Sequence, residues 1–177
     1  MIKSKPYKTL LLYILFTIYS SLSAQELIDS VSLTVGSSMD NEKIYKLGVQ
    51  KNFNSILYEN SSGYLSGFYD LSINRWNCDG DSVNAIAFSP VFTYSLNSPV
   101  LNTTPYLFFG VGAAYISPVE TDKKDFSSHF QFEDRIGIGF KADSYELNIG
   151  YFHYSNGDIK EPNDGIDIIG LTYLYYL

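Results

Sequence analysis

The chain has one cysteine, two histidines and 18% charged residues, and each scarcity closes off a class of protein. A lone Cys78 cannot form an internal disulfide and cannot build a thiolate metal cluster. Two histidines, His129 and His153, argue against a multi-histidine metal site. Lysine and arginine together number 12 against 19 acidic residues, a net charge of −7, which argues against nucleic acid as a partner because polyphosphate attracts basic surfaces. No stretch of about 20 apolar residues follows residue 24, so any membrane crossing beyond that point must be made by strands. Internal repeats and low-complexity segments are also missing.

What is present begins with an export signal over residues 1–24. Lys3, Lys5 and Lys8 give a basic start, Leu10 to Tyr19 an apolar run, and Ser21, Ser23 and Ala24 the small residues of a cleavage site, with Gln25 as the mature start. The apolar run is too short for a stop-transfer anchor. No cysteine follows the cleavage point to carry a lipid. Residues 25–177 form one domain.

Sixteen Tyr and twelve Phe are a heavy aromatic load, and they recur with period two. Eight candidate strands run near 29–36, 44–53, 63–76, 83–96, 104–117, 129–142, 145–155 and 167–177. In the sixth, Phe132, Ile136, Ile138 and Phe140 alternate with Glu133, Arg135, Gly137 and Lys141. A face bearing both signs of charge beside glycines suits the polar interior of a narrow barrel, with Glu133 and Arg135 as an interior charge pair. Asp134 interrupts the apolar side of that strand without evident reason. The fold class expected is all-β, an eight-stranded antiparallel transmembrane barrel of the outer-membrane type. A soluble exported sandwich or lipocalin-like barrel is the alternative architecture.

An even strand number puts both termini in the periplasm. Asp40 to Lys43, Asp79 to Asp81, Glu120 to Asp125 and Asp158 to Asp164 then become outer loops, and Asp143–Ser144 a short periplasmic turn. Trp76 and the strand-end tyrosines read as an aromatic girdle, Pro90 as the site of a bulge, Cys78 as an unpaired loop thiol, and His129 as an inward-facing lumen or rim residue beside Gln131 and Glu133. Asp158, Glu161 and Asp164 read as a solvated loop edge.

The last 33 residues carry the chemistry. Tyr145, Leu147, Ile149, Tyr151, His153 and Ser155 occupy every second position, so His153 and Ser155 project from the apolar face. On the next strand Ile169, Leu171, Tyr173 and Tyr175 define the same face, and Asp167 shares their parity. Neighbours on adjacent strands lie about 5–8 Å apart, within reach of a relay. Serine needs a base to take its proton, and the base an acid to fix its tautomer; His153 and Asp167 fit those parts. Asn156 and nearby backbone N–H groups could stabilise an oxyanion. His-x-Ser alone is weak, and a non-catalytic structural or adhesive barrel fits the same pattern.

The run His153-Tyr154-Ser155-Asn156 followed by Pro162-Asn163-Asp164-Gly165-Ile166 resembles the lipid A 3-O-deacylase (PagL) family. The segment Phe132-Glu133-Asp134-Arg135-Ile136-Gly137 is similar to its sixth strand, and weaker similarity runs through Phe88–Tyr94 and Pro105–Ala114. The resemblance implies an eight-stranded barrel in the outer membrane among lipids, acting on lipid A of lipopolysaccharide. It implies a serine esterase that removes the ester-linked 3-hydroxyacyl chain at position 3 without cofactor or metal, and homodimers occur in the family. Carried over, Ser155 resembles the nucleophile, His153 the base and Asn156 the oxyanion contributor. The chain departs in two places: Asp167 stands where the family has glutamate, and Gly157-Asp158 where it has a small residue then glycine.

Overall fold

A computed structural model describes residues 27–78 and 81–177; the expected signal segment lies outside the described residues. Among the described residues the strands are β1 (Ser30–Ser38), β2 (Lys43–Asn52), β3 (Tyr58–Glu59), β4 (Gly63–Cys78), β5 (Asp81–Leu96), β6 (Thr104–Ser117), β7 (Phe130–Lys141), β8 (Tyr145–Ser155) and β9 (Ile166–Tyr176). Every pairing is antiparallel. The order β2-β1-β9-β8-β7-β6-β5-β4 closes on itself where β2 pairs with β4, from Lys43↔Asn77 to Asn52↔Phe68. The result is a closed eight-stranded barrel, with the two-residue β3 hooked onto β4 at Leu65 and Tyr64. Among the described residues closure leaves none of the eight barrel strands with an unpaired edge, which a sheet in hydrocarbon requires.

The period-two pattern sorts the side chains. Leu33, Leu47, Ile73, Ile86, Leu107, Ile138, Ile149 and Leu171 all point outward and are exposed. Inside, polar and apolar residues form layers. The middle layer holds Lys46, Asp70, Glu133 and Arg135, all buried. Lys46 Nζ lies 3.1 Å from Asp70 Oδ2 and 3.0 Å from Glu133 Oε2, and Arg135 Nη2 lies 2.9 Å from Asp70 Oδ2 and also bonds Glu133. Ser89 Oγ donates to Glu133 Oε1 at 2.7 Å, and the Tyr154 hydroxyl donates to Glu133 Oε2. Two cations against two anions leave this layer without net charge, and buried charges persist only when paired and hydrogen-bonded in this way.

Above it, toward the end bearing the 39–42, 118–129 and 156–165 connections, sits an apolar layer including Ile44, Trp76, Val83, Ile116, Phe126 and Ile166. Below it, the tip of the Phe108 ring packs against Gly137 of β7 and Gly150 of β8: a Cβ at Gly137 would stand 2.4 Å from Phe108 Cζ, so the ring needs glycine there.

Several expectations change. Trp76 is fully buried inside the barrel, between Tyr154 and Phe126 with ring centroids 4.7 and 5.9 Å away, so it belongs to no girdle; on β4 the even-numbered residues point inward. Cys78 is the last residue of β4 and is buried, not in a loop. Pro90 makes no bulge: Phe88↔Ala113 and Val91↔Gly110 keep one register, and Ser89 and Pro90 merely lack partners on β6. His129 precedes β7 and so escapes its parity. It is exposed, stacked on Tyr115 with centroids 4.9 Å apart, and its Nδ1–H donates to the Ile116 carbonyl at 2.7 Å.

Candidate active site

Strands β8 and β9 meet in a register that pairs His153 directly with Asp167. Both side chains point outward and are partly exposed, at 34% and 42%. His153 Nδ1 and Asp167 Oδ1 are 2.7 Å apart, which fixes the Nδ1–H tautomer toward the carboxylate and leaves Nε2 for another proton. Tyr151, one outward position earlier on β8, donates its hydroxyl to the same Asp167 oxygen. Tyr151 was missed as a site residue from sequence, although its parity with His153 was the available signal.

Ser155 lies two residues beyond His153 on the same outward face, half-buried and opposite Phe132 of β7. Its hydroxyl makes no hydrogen bond to any described residue. Gly165 brings the returning chain against both groups: a Cβ built there would lie 3.5 Å from His153 Cε1 and 3.6 Å from Ser155 Cβ. At φ +59 the residue occupies the left-handed region, where glycine is unstrained. Phe130 and Phe132, packed edge to face at 5.0 Å, provide an apolar wall beside Ser155.

Asn156 turns away from this surface. Its side chain is fully buried, and Nδ2 donates to the carbonyls of Phe126 (3.0 Å) and Lys160 (2.8 Å) and to Ser127 Oγ (3.3 Å). Its own backbone N–H donates to Asn163 Oδ1 at 3.0 Å. The expectation that Asn156 itself faces an oxyanion is therefore corrected: all its donors are engaged inside the protein. It clasps the β8–β9 loop to the β6–β7 loop, a junction reinforced by Ser127 Oγ donating to the Lys160 carbonyl (2.9 Å) and by Asp125 N–H donating to Asp164 Oδ2 (2.6 Å). The next two residues, Gly157 (φ +63) and Asp158 (φ +60), form the centre of a left-handed turn closed by Ile159 N–H donating to the Asn156 carbonyl. The Gly157 and Asp158 N–H groups are unengaged among the described residues. Aspartate tolerates the left-handed region better than most residues, and Asn163 Nδ2 holds its carboxylate at 3.1 Å.

A hydroxyl, an imidazole with one nitrogen committed to a carboxylate, and two free backbone donors thus lie along the outward rim of one hairpin. Among the described residues no group of three or more His, Cys, Asp or Glu side chains could hold a metal ion.

The model of the family described as lipid A 3-O-deacylase (PagL) matches residues 43–176. The chain belongs to that family. It is 32% identical over 146 residues to the lipid A deacylase PagL of Pseudomonas aeruginosa, covering 81% of this chain and 83% of that protein. It is 45% identical over 71 residues to the lipid A deacylase PagL of Bordetella bronchiseptica, covering 40% of each. A crystal structure of the outer membrane enzyme PagL superposes with a TM-score of 0.79 at 30% identity, covering 84% of this chain and 99% of that one. The resemblance read from the sequence holds, and the chain is a β-barrel of the outer membrane.

Proposed function

We propose that this protein is a serine esterase that cleaves the ester-linked 3-hydroxyacyl chain at position 3 of lipid A, working from the outer leaflet of the outer membrane. The observation that carries the reading is the His153–Asp167 pair, set in hydrocarbon-facing register beside Ser155 on a member of the lipid A 3-O-deacylase family. A lipid whose ester sits at the base of its headgroup can reach such a rim without leaving the bilayer.

In this reading the ester carbonyl approaches Ser155, and His153 Nε2 takes the hydroxyl proton as Oγ attacks. Asp167 steadies the imidazolium through Nδ1–H. The charge that develops on the carbonyl oxygen is met by the unengaged N–H groups of Gly157 and Asp158, which Asn156 holds in place from below. Collapse of the tetrahedral intermediate expels the sugar hydroxyl, protonated by His153. Water then enters by the same route and releases the fatty acid. Phe130 and Phe132 guide the chain along the β7–β8 face.

Replacing Ser155 by Ala tests the assignment. The variant should fold, as judged by heat-dependent mobility on gels, and lipid A from cells expressing it should keep the position-3 acyl chain by mass spectrometry. Continued release of that chain would reject Ser155 as nucleophile.

A further inference from the structure

Six lysines and arginines lie in the strands, and four of them meet a carboxylate. Lys46 and Arg135 face Asp70 and Glu133, Lys51 pairs with Asp29, and Lys141 lies 3.8 Å from Glu146. The other two, Lys43 and Arg75, are exposed and point outward, and neither forms an ion pair among the described residues. Lys43 opens β2 and Arg75 stands three residues before the end of β4, so both lie at the end of the barrel that carries His153 and Ser155. A charge on the lipid side is tolerated near an interface, but tolerance does not explain why the two unmatched cations are neighbours.

Register makes them so. Lys43 pairs with Asn77 and Tyr45 with Arg75, which sets the two cations diagonally across the β2–β4 seam, about 7–8 Å apart. On its other side Arg75 pairs with Asn84 of β5. Nη1 donates to Asn84 Oδ1 at 3.2 Å and Nη2 to Ser82 Oγ at 2.9 Å, and Ser82 Oγ donates onward to Asn77 Oδ1 at 3.4 Å. These acceptors are neutral, so they fix the plane of the guanidinium and leave its charge unmatched. With five N–H donors the group keeps others for an anion. Toward the middle of the barrel, Leu33, Leu47, Ile73, Ile86 and Tyr115 line an open groove of about 570 Å³ that ends at Arg75. Around the closed barrel the β4–β5 seam lies opposite the β8–β9 seam, so this groove is separate from the candidate active site.

A cation pair directly above an apolar groove matches an amphiphile with an anionic head. Free phosphate would leave the groove empty, and a neutral glycolipid would leave the cations unmatched. A guanidinium held in one plane suits the oxygens of a phosphate, and an ammonium beside it adds a point charge. We propose that the outward rim of β2, β4 and β5 is a second lipid site: Arg75 and Lys43 hold the phosphate of a phosphorylated glycolipid such as lipid A, and the groove takes one of its acyl chains. The site binds lipid without cleaving it. It shares with the proposed function only the placement of this end of the barrel in the outer leaflet, and it stands whichever residue attacks the ester.

The test uses the full chain in detergent micelles, its isoleucine methyl groups labelled for NMR. The probe is phosphorylated lipid A that already lacks the position-3 chain, so that this ester is not turned over. Ile73 and Ile86 report on the groove, and Ile169, two residues from Asp167, on the opposite seam. In wild type the Ile73 and Ile86 signals should shift and saturate. Arg75→Ala and Lys43→Ala should each raise their midpoint about fivefold, the contribution of one Lys or Arg near an anionic lipid surface, and the double variant about 25-fold. Any midpoint at Ile169 should stay within about twofold. Lipid A stripped of its phosphates should bind the groove of wild type about as weakly as the phosphorylated lipid binds the double variant. Lys43 bonds to nothing in the fold, so Lys43→Ala decides the matter should Arg75→Ala fail to fold. The proposal is overturned if Ile73 and Ile86 do not respond in wild type, if a folded single variant keeps the wild-type midpoint, or if the phosphate-free lipid binds equally well. Inorganic phosphate alone reproducing the shifts would also overturn it, by marking a plain anion site.

Discussion

The strength of the His153–Asp167 coupling sets what loss of the carboxylate should cost. The two side chains are 2.7 Å apart and about one-third to two-fifths exposed, so their interaction is only partly screened. Unit charges about 4 Å apart interact by roughly 1 kcal/mol in water and roughly 4 kcal/mol at the effective dielectric near a protein surface. The partial exposure places this pair between those limits, at about 2–3 kcal/mol, which is about 30- to 150-fold in rate. Asp167→Asn keeps a carbonyl oxygen that can accept from both His153 Nδ1–H and the Tyr151 hydroxyl, so it removes the charge and little of the geometry. We expect kcat to fall about 100-fold with KM unchanged, because the imidazolium exists only as the transition state is approached. That is well short of the roughly 10,000-fold seen for a fully buried triad aspartate. Asp167→Ala also frees the tautomer and should lose about a further tenfold. Asp167→Glu restores the acid of the family's pattern but adds a methylene where contact is already close, and should stay within about tenfold of wild type. The assay is the initial rate of fatty-acid release from lipid A in mixed micelles, with surface concentration varied to separate kcat from KM. An Asp167→Asn variant within threefold of wild type, or one whose whole defect lay in KM, would refute the coupling.

Four more outcomes follow from named contacts. Tyr151→Phe removes one hydrogen bond to Asp167 and should lower kcat about three- to tenfold without moving KM or the unfolding midpoint in urea. Glu133→Ala leaves Lys46 and Arg135 with an uncompensated buried charge and should destabilise the barrel by about 3–5 kcal/mol, read from urea unfolding in micelles. Gly165→Ala places a methyl 2.9 Å from the Tyr154 carbonyl at φ +59, costs about 1–2 kcal/mol in backbone strain, and crowds His153 and Ser155; acyl release should drop at least tenfold in the same micellar assay. Asn156→Ala removes the amide that bridges the Phe126 and Lys160 carbonyls and loosens the junction of the two loops, so limited proteolysis should cut within 118–129 or 156–165 faster than in wild type.

Much of this was legible because a strand has only two faces. The parity of Tyr145 to Ser155, and of Asp167 to Tyr175, put the three reactive side chains outward, and two of the eight expected strands, 104–117 and 145–155, coincide with β6 and β8. What parity cannot supply is what lies outside a strand or between strands. His129 departs from the inward reading because it precedes β7, and Trp76 from the girdle reading because Leu71 and Ile73 take the outward parity of β4 and leave Trp76 the inward one. Asn156 was read as facing the substrate because it follows Ser155. Its true partners, Phe126 and Ser127, are some 30 positions away and depend on how two loops fold together. Asp134 lies across from His153 through the β7–β8 register, which no single strand reveals.

The alternation that exposes the reactive groups also anchors them. On β8, Tyr154 stands between His153 and Ser155 and points the other way, where its hydroxyl bonds the fully buried Glu133. On β7 that glutamate is the immediate neighbour of Asp134, which points outward. Each outward group is thus one residue from a side chain fixed in the neutral charge layer, and the two inward residues are bonded to each other across the strand pair. A residue facing lipid meets few partners that could hold its backbone still, so the rigidity a proton relay needs must come from inside the barrel. The interior charges then support both the barrel wall and the spacing of His153, Ser155 and Asp134 on its surface. Glu133→Gln, which keeps the volume but weakens those bonds, should accordingly lower kcat even at temperatures where the barrel stays folded. An unchanged kcat in that variant would show that the outward row holds its geometry without the core beneath it.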